Sequence, residues 1–274
     1  MEDSPVPIAL KFEHVTVSFV ENPALDDVSF EVPAGDTRIL FGAAGSGKTV
    51  VLKTTLGLLK PASGRVTVFG QDITHMREKE LFDVRSKIGM LFQESALFDS
   101  MTVEDNVAYP LLNQPALRCK PEEAEKRAAE ALSFVELEGT LEKFPSELSG
   151  GMRRRVGVAR AVVTNPPLVL FDSPTAGLDP VTANTIVKLI VKQRDVMHTT
   201  TLLVTHRYQN GNLLANYHYE PATDSLDPNR NGNRGPGKTK FLGFKDGKLV
   251  FEGGQEEMDA SKDPYISKFV NHNG

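Results

Sequence analysis

Residues Gly42–Thr49 read GAAGSGKT, three glycines followed by a lysine and a hydroxyl side chain. This is the pattern G-x-x-x-x-G-K-[ST], in which backbone N–H groups unobstructed by side chains close around phosphate oxygens at a helix N-terminus. Lys48 supplies a point charge to the outer phosphates, and the Thr49 hydroxyl can reach a magnesium ion that they hold. The pattern alone is moderately specific, since Gly232–Thr239, GNRGPGKT, satisfies it too. Context separates the copies, because the motif is meaningful only between a strand and a helix. The first follows the run Thr37–Phe41 and leads into helical spacing at Val50, Val51, Leu52, Thr55, Leu56 and Leu59; the second has no apolar strand before it and runs into KFLGF. Another chemical signal is FDSPTAGLDP, Phe171–Pro180, where the apolar run Leu168–Phe171 ends in Asp172. A buried strand ending this way can present a carboxylate to magnesium. The next residue, however, is Ser173, whose hydroxyl can orient a water but cannot accept its proton at neutral pH.

The elements that must position these groups show as periodicities. The first 40 residues alternate as strands: ALKFEHVTVSF, a turn at Glu21-Asn22-Pro23, ALDDVSFEV, then Thr37–Phe41. RVTVFG (65–70) and KIGMLF (87–92) also read as strands, and about 95 to 160 reads as mostly helical, with EEAEKRAAEALSFV its most regular piece. Strand–helix alternation returns in LVLFD, TANTIVKLIVKQRDV and TTLLVTH. That order predicts an α/β domain with a helical lobe inserted in its middle. The stretch from about 221 to 238, rich in proline, asparagine, glycine and aspartate, reads as a long loop with a disordered tip.

Composition sets the outer bounds. The chain has 274 residues, 40% of them hydrophobic and 24% charged, enough for a buried core in one large domain or two small ones. A net charge of −5 argues against nucleic acid as a partner, and the basic run Arg153-Arg154-Arg155 reads as a solvated or interface face. The single cysteine, Cys119, excludes an intrachain disulfide and fits a reducing compartment. No apolar run approaches the roughly 18 residues of a membrane span, and MEDSPVPIAL lacks a leader's basic and apolar regions. Work at a membrane therefore requires docking onto a partner.

Further motifs follow in order. Gln93 comes just after the KIGMLF strand, LSGGM (Leu148–Met152) heads the amphipathic run RRRVGVARAVV, AGLD spans Ala176–Asp179, and His206 ends TLLVTH. With the phosphate loop and the Asp172 strand, these six ordered motifs make the chain resemble the ATP-binding cassette (ABC) family over nearly its whole length. The resemblance implies a P-loop NTPase fold of α/β class: an N-terminal antiparallel β subdomain, a RecA-like core and an inserted helical subdomain. It implies a single ABC domain over 1–274, with the helical subdomain at about 95–160, a loop insertion at about 218–238 and a C-terminal tail at about 257–274. ATP and Mg2+ are the implied cofactors. Gly42, Ala43, Ala44, Gly45, Ser46, Gly47, Lys48 and Thr49 would hold the phosphates; Thr49, Gln93 and Asp172 would hold magnesium, and His206 would contact the γ-phosphate. Ser149, Gly150 and Gly151 would bind the γ-phosphate of ATP held by a second subunit, with Asp179 at the seam, which implies a head-to-tail dimer. Phe19 falls where the family places an aromatic ring against adenine; a core phenylalanine is the competing reading. For His206 the competitor is a packed core histidine.

The stretch Met90–Leu112, MLFQESALFDSMTVEDNVAYPL, and LSGGM with Met152 resemble the ATPase subunits of Mce-type lipid transporters, including the Mla phospholipid system. That implies an integral-membrane permease, with an Mce-domain substrate-binding protein, and a cytoplasmic chain docked on the inner face of the membrane. Ala96, Leu97, Phe98 and Met101 would present an apolar surface to the permease. Amino-acid importers carry a related segment. Ser173 stands where these ATPases usually carry a catalytic glutamate, so slow hydrolysis is expected; Glu94 is a conceivable substitute base, competing with a solvated turn carboxylate. The alternative function is an ATP-gated clamp or regulatory subunit that does not turn over. A soluble cassette protein of DNA repair or translation lacks support, since no tandem cassette, long coiled coil or zinc cysteines are present in the sequence. The C-terminal DPYISKFV reads as an amphipathic piece closing on a neighbour that the sequence does not identify.

Overall fold

The structure is a computed structural model that describes residues 6–19, 22–117, 119–228 and 237–271. Its strands and helices follow the chain as β1 (Ile8–Phe19), β2 (Asn22–Pro33), β3 (Thr37–Phe41), α1 (Lys48–Thr55), β4 (Ser63–Val68), β5 (Gln71–Asp72), α2 (Glu78–Arg85) and β6 (Ile88–Leu91). Next come α3 (Val103–Asn113), α4 (Pro121–Phe134), α5 (Gly150–Val162), β7 (Leu168–Asp172), α6 (Pro180–Met197), β8 (Thr200–Val204) and α7 (Tyr208–Asn216). The chain closes with β9 (Tyr217–Glu220), β10 (Ser225–Pro228), β11 (Thr239–Lys245), β12 (Lys248–Gly253), α8 (Gln255–Asp259) and α9 (Pro264–Asn271).

All residues of β3, β7 and β8 are buried, as expected of parallel strands covered on both faces. They belong to a six-stranded sheet of order β12-β11-β3-β8-β7-β6, parallel except for the β11–β12 pair. Side chains alternate between its two faces. Ile39, Phe41, Val169, Phe171 and Leu203 enter one core with residues of α3 to α9, while Leu40, Leu168, Leu170, Leu202 and Val204 enter another with β1, β2, β4, α1 and α2. The second core lies under an antiparallel sheet of order β2-β1-β4-β5, where Phe12 and Phe30 stack at 4.8 Å between ring centroids. Because β3 and β8 are parallel neighbours, the connections after them leave the same edge of the sheet. Crevices at the carboxyl ends of such strands are where α/β folds bind ligands.

The segment read as helical contains α3, α4 and α5 with two short 3-10 turns at Glu138–Thr140 and Pro145–Glu147. Thr102 caps α3 by accepting from the Asp105 N–H, and Pro121 opens α4 at a position where no N–H is needed. Asn106, fully buried, ties residues 98 to 102 together: its amide accepts from the Phe98 N–H and donates to the carbonyls of Phe98, Met101 and Thr102. No helix among the described residues is long and apolar enough to cross a membrane.

The segment expected as a polar loop differs. Residues 217–228 form a two-stranded hairpin docked on α6, and the remainder of the expected loop, 229–236, lies outside the described residues. Lys188 Nζ is 2.9 Å from Asp224 Oδ2, the Lys192 ammonium sits over the rings of Tyr219 and Phe134, and the Tyr219 N–H donates to Asp195 Oδ2 at 2.7 Å. The Tyr219 hydroxyl donates to Asp224 Oδ1 at 2.6 Å. That hydrogen bond and the Lys188 charge hold the Asp224 carboxyl down to about 2, while burial and the same carboxylate push the Tyr219 hydroxyl up to about 12. Ionic and aromatic contacts of this kind leave no apolar period in the sequence. Gly237, at φ 86, where a β-carbon would lie 2.2 Å from the Gly35 carbonyl oxygen, and Lys238 lead the second glycine-rich copy straight into strand β11, with no helix to hold phosphate. Asp224→Asn is expected to speed amide exchange at Tyr219 and Leu226 by about fivefold at most, the range for an exposed ion pair; mass spectrometry of the exchanging chain reads it, and protection unchanged in the variant contradicts the docking role.

Candidate functional site

Strand β3 delivers the phosphate loop. Gly42 has φ 143, and a β-carbon there would lie 2.2 Å from the Phe244 carbonyl oxygen; at Gly47, φ 102, it would lie 2.5 Å from the Ala24 carbonyl oxygen. Glycine is therefore required at both positions by backbone angle and by space. Ala43, Ala44 and Gly45 form an exposed rim, while Ser46, Gly47 and Lys48 are buried beneath it. Helix α1 starts at Lys48 with Gly47 at its N-cap and no side-chain cap, so its first-turn amides face the loop. The Lys48 ammonium donates to the carbonyls of Gly42 (3.0 Å) and Ala43 (2.7 Å) and to Ser46 Oγ (3.0 Å). Burial pulls its pKa down to about 8 against the opposing charge of Asp172.

Strand β7 brings Asp172 to the same place. The Thr49 hydroxyl donates to both Asp172 carboxylate oxygens, at 3.2 and 3.0 Å, and Asp172 is 4% exposed. A hydroxyl and a carboxylate converging in a sheltered cleft are hard oxygen donors of the kind Mg2+ takes, so the residues present fit that ion. Ser173 follows in a left-handed conformation, φ 48, with its N–H donating to the Val204 carbonyl and its hydroxyl 3.4 Å from Asp172 Oδ1. His206, two residues past β8, places Nδ1 3.3 Å from the Gly42 carbonyl oxygen. Burial, then the Lys48 charge, holds its pKa below the usual histidine value. The structure thus brings Lys48, Thr49, Asp172, Ser173 and His206 together at the carboxyl ends of β3, β7 and β8, and His206 lies against the loop, not inside the core. Gln93 is exposed in the turn after β6, the strand that pairs with β7.

Phe19 is 51% exposed at the end of β1, which sets aside the core reading. It lies at the hairpin tip paired with Asn22, and two residues farther along β2 Ala24 abuts Gly47 of the phosphate loop. A second group gathers around the starts of α5 and α6. Ser149 caps α5 by accepting from the Met152 N–H at 3.2 Å. Asp179 caps α6 by accepting from the Val181 and Thr182 N–H groups, each at 3.0 Å, and its carboxyl is held below the usual range by the Thr182 bonds. The two helix starts pack closely: a β-carbon on Gly151 would lie 2.5 Å from Thr182 Cγ2. Ser149, Gly150 and Asp179 are exposed, and among the described residues neither Ser149 nor Asp179 hydrogen-bonds to the phosphate loop.

Of the run expected as a solvated or interface face, Arg153 is exposed, Arg155 half-buried and Arg154 buried, and all three guanidinium groups reach backbone carbonyls. Arg153 donates to Leu148 (2.6 Å), Arg155 to Val135 (3.1 Å), and Arg154, 6% exposed, to Phe92 (3.4 Å) and Ala176 (3.2 Å). Arg154 therefore joins the strand end before Gln93 to the loop that carries Asp179. Glu94 and Asp172 both act on its charge, and Glu94 itself is exposed. Two further contacts tie the loop after Ser173 to the His206 region: Asn210 donates to Thr175 Oγ1 at 2.5 Å, and Arg207 to the Leu178 carbonyl at 3.3 Å.

The neighbour of DPYISKFV is the phosphate loop itself. The Tyr265 hydroxyl accepts from the Ala43 N–H at 2.8 Å and donates to the Phe244 carbonyl at 2.6 Å, and Phe269 stacks on Phe41 at 4.5 Å between centroids. Of the residues expected to form a docking surface, Phe98 is 40% exposed against Tyr109 and Arg160, and Ala96 is exposed. Leu97 is half-buried against the core and Met101 is half-buried.

A phosphate loop between strand and helix, a strand-end carboxylate bonded to its threonine, and a histidine on the same crevice define a P-loop nucleotide-binding protein. The family model named ABC transporter matches residues 25–176. The chain is 41% identical over 204 residues to the "Probable ribonucleotide transport ATP-binding protein mkl" of Mycobacterium leprae, covering 74% of this chain and 58% of that one. It is 43% identical over 183 residues to the methionine import ATP-binding protein MetN of Carboxydothermus hydrogenoformans, covering 67% and 53%. Among solved structures, the dimeric ATP-binding cassette MJ0796 bound to ADP and Pi superimposes with a TM-score of 0.74 at 30% identity, covering 89% of this chain and 98% of that one. The cbiO1 subunit of the cbiONQ transporter complex of Clostridium perfringens gives 0.75 at 25%, covering 97% and 96%. The chain belongs to the ABC transporter family of ATP-binding cassettes, and it spans a little over half the length of the curated relatives named here.

Arg154→Ala removes two charge-assisted bonds from a buried group, worth about 2 kcal/mol together, and is expected to lower the thermal midpoint by about 3–4 °C. Differential scanning calorimetry reads it, and a shift under about 1 °C contradicts the joining role.

Proposed function

We propose that the chain is the ATP-binding subunit of a membrane transporter, dimerising head to tail around two ATP molecules and hydrolysing them slowly. The observation that carries the reading is the Thr49–Asp172 contact beneath the phosphate loop, since it joins the hydroxyl and the carboxylate that magnesium requires at the mouth of a ready anion site. Gly42 to Thr49 would cradle the phosphates, with Lys48 turning from the loop carbonyls to the outer phosphates. Thr49, Asp172 and Gln93 would hold Mg2+, which when bound supplies charge neutralisation at the transferring phosphoryl group. His206 would meet the γ-phosphate and Phe19 would cover the adenine. Exposed Ser149, Gly150 and Asp179, without bonds to their own phosphate loop, are what a site completed by a second subunit needs.

Ser173 sets the rate. Positioning and charge neutralisation supply most of the acceleration in phosphoryl transfer and do not need it, whereas the missing general base accounts for about 10²- to 10⁴-fold. Ser173→Glu is expected to raise single-turnover hydrolysis by at least about tenfold, and Lys48→Ala to abolish ATP binding. A rate unchanged or lower in the first variant contradicts the account of slow turnover; binding that survives in the second contradicts the site.

We infer further that the transporter is of Mce type and moves phospholipid, the chain lying on the cytoplasmic face of the membrane through its permease and an associated Mce-domain protein. Support comes from the sequence of Met90–Leu112 and Met152 and from the partly exposed Phe98 held by Asn106. The identity to MetN favours a second reading, an amino-acid importer. Affinity purification from native membranes separates them: an Mce-domain protein and co-eluting phospholipid are expected, and a permease with an amino-acid-binding protein supports the alternative.

A further inference from the structure

The hairpin β9–β10 carries a side-chain cluster that nucleotide chemistry does not use. His218 and Asp227 are directly opposite in the strand register, and Glu220, two residues along β9, shares their face of the ribbon. One ligand atom from each of the three lies within 4.8 Å of the other two. Among the described residues no hydrogen bond joins them to one another, and His218 Nδ1 is buried without a partner. Such a ring nitrogen is costly to leave unpaired, and a bound metal ion is one group that satisfies it.

Charge and spacing select the ligand. Two carboxylates and a neutral imidazole carry −2, which a divalent ion balances, and the nitrogen–oxygen donor set suits zinc-class first-row metals more than calcium or magnesium. Tetrahedral metal bonds of about 2.0–2.2 Å place two ligand atoms about 3.3–3.6 Å apart, so closing a cluster whose atoms lie within 4.8 Å takes at most about 1.5 Å of approach, within reach of side-chain rotation. The hairpin also has a use for the ion. A two-stranded ribbon is marginal alone; its turn end is held to α6 through Asp224 and Lys188, whereas His218 and Asp227 sit toward the open end, where the chain leaves β10.

We propose that His218, Glu220 and Asp227 form a binding site for a divalent transition-metal ion of the zinc class, which clamps β9 to β10. The ion bridges the strands across the register and leaves at least one coordination position open to solvent or to a group from a partner.

The test uses the full chain, freed of any histidine tag and of metal, titrated with Zn2+ by calorimetry and with Co2+ by visible absorption. The wild type and Asp172→Asn, which spares the hairpin, are expected to bind one Zn2+ at the cluster and to show the cobalt ligand-field band. His218→Ala and Asp227→Asn are expected to weaken that binding at least about tenfold and to lose the band. Asp227 is exposed, so its variant keeps the fold, and matching thermal melts of the metal-free proteins verify this. Zinc affinity equal in wild type and both hairpin variants overturns the site, as does the absence of binding at micromolar Zn2+.

Discussion

The candidate site depends on one contact across 123 residues of chain, the Thr49 hydroxyl on the Asp172 carboxylate. It forms only if β3 and β7 end at the same level with β8 between them, and the parallel register provides this: Leu40 pairs with Val204, which pairs with Asp172. The Thr205 N–H then donates to the Leu40 carbonyl and the Ser173 N–H to that of Val204, so the three strand ends lock to one another beyond the sheet. Hydrophobic burial on both faces of these strands sets the order, and the order places the chemistry.

A second tier of contacts fixes the loops that leave those strand ends. Arg154 spans Phe92 and Ala176, Asn210 reaches Thr175, and Tyr265 receives the Ala43 N–H. Each ends on a loop next to a residue expected to meet nucleotide, so the loops surrounding the phosphate site are tied to their neighbours by hydrogen bonds. Arg154 has the additional role of linking the start of the segment after β6, which presents Phe98, to the loop that presents Asp179. In the proposed transporter this one guanidinium would lie between the permease-facing segment and the dimer seam.

The phosphate loop and the Asp172 strand end could be singled out from short runs, LSGG and His206 from their resemblance to a family, and the strand and helix periods framed all four as the fold has them. What escaped the sequence lies in contacts between distant positions. Tyr265 and Ala43 are separated by 222 residues, and an arginine run on an amphipathic segment looks the same whether it meets water or carbonyls. The β9–β10 hairpin escaped because cross-strand ionic and aromatic pairs hold it, and these leave a composition that reads as loop. Phe19 was ambiguous because alternation does not say which end of a strand runs past the core.

Ser173 leaves all of this architecture in place. Its left-handed backbone is held by the Val204 carbonyl and its hydroxyl touches Asp172, so a serine at the position where the proposed function expects a glutamate base fits the cleft without opening it. On the proposed function, closing of two chains around ATP is then separate from the rate at which ATP is consumed. Sedimentation velocity of the purified chain, with and without saturating ATP and Mg2+, tests this most directly: a monomer that becomes a long-lived dimer with nucleotide is the predicted result, and a chain that stays monomeric at saturating ATP contradicts it.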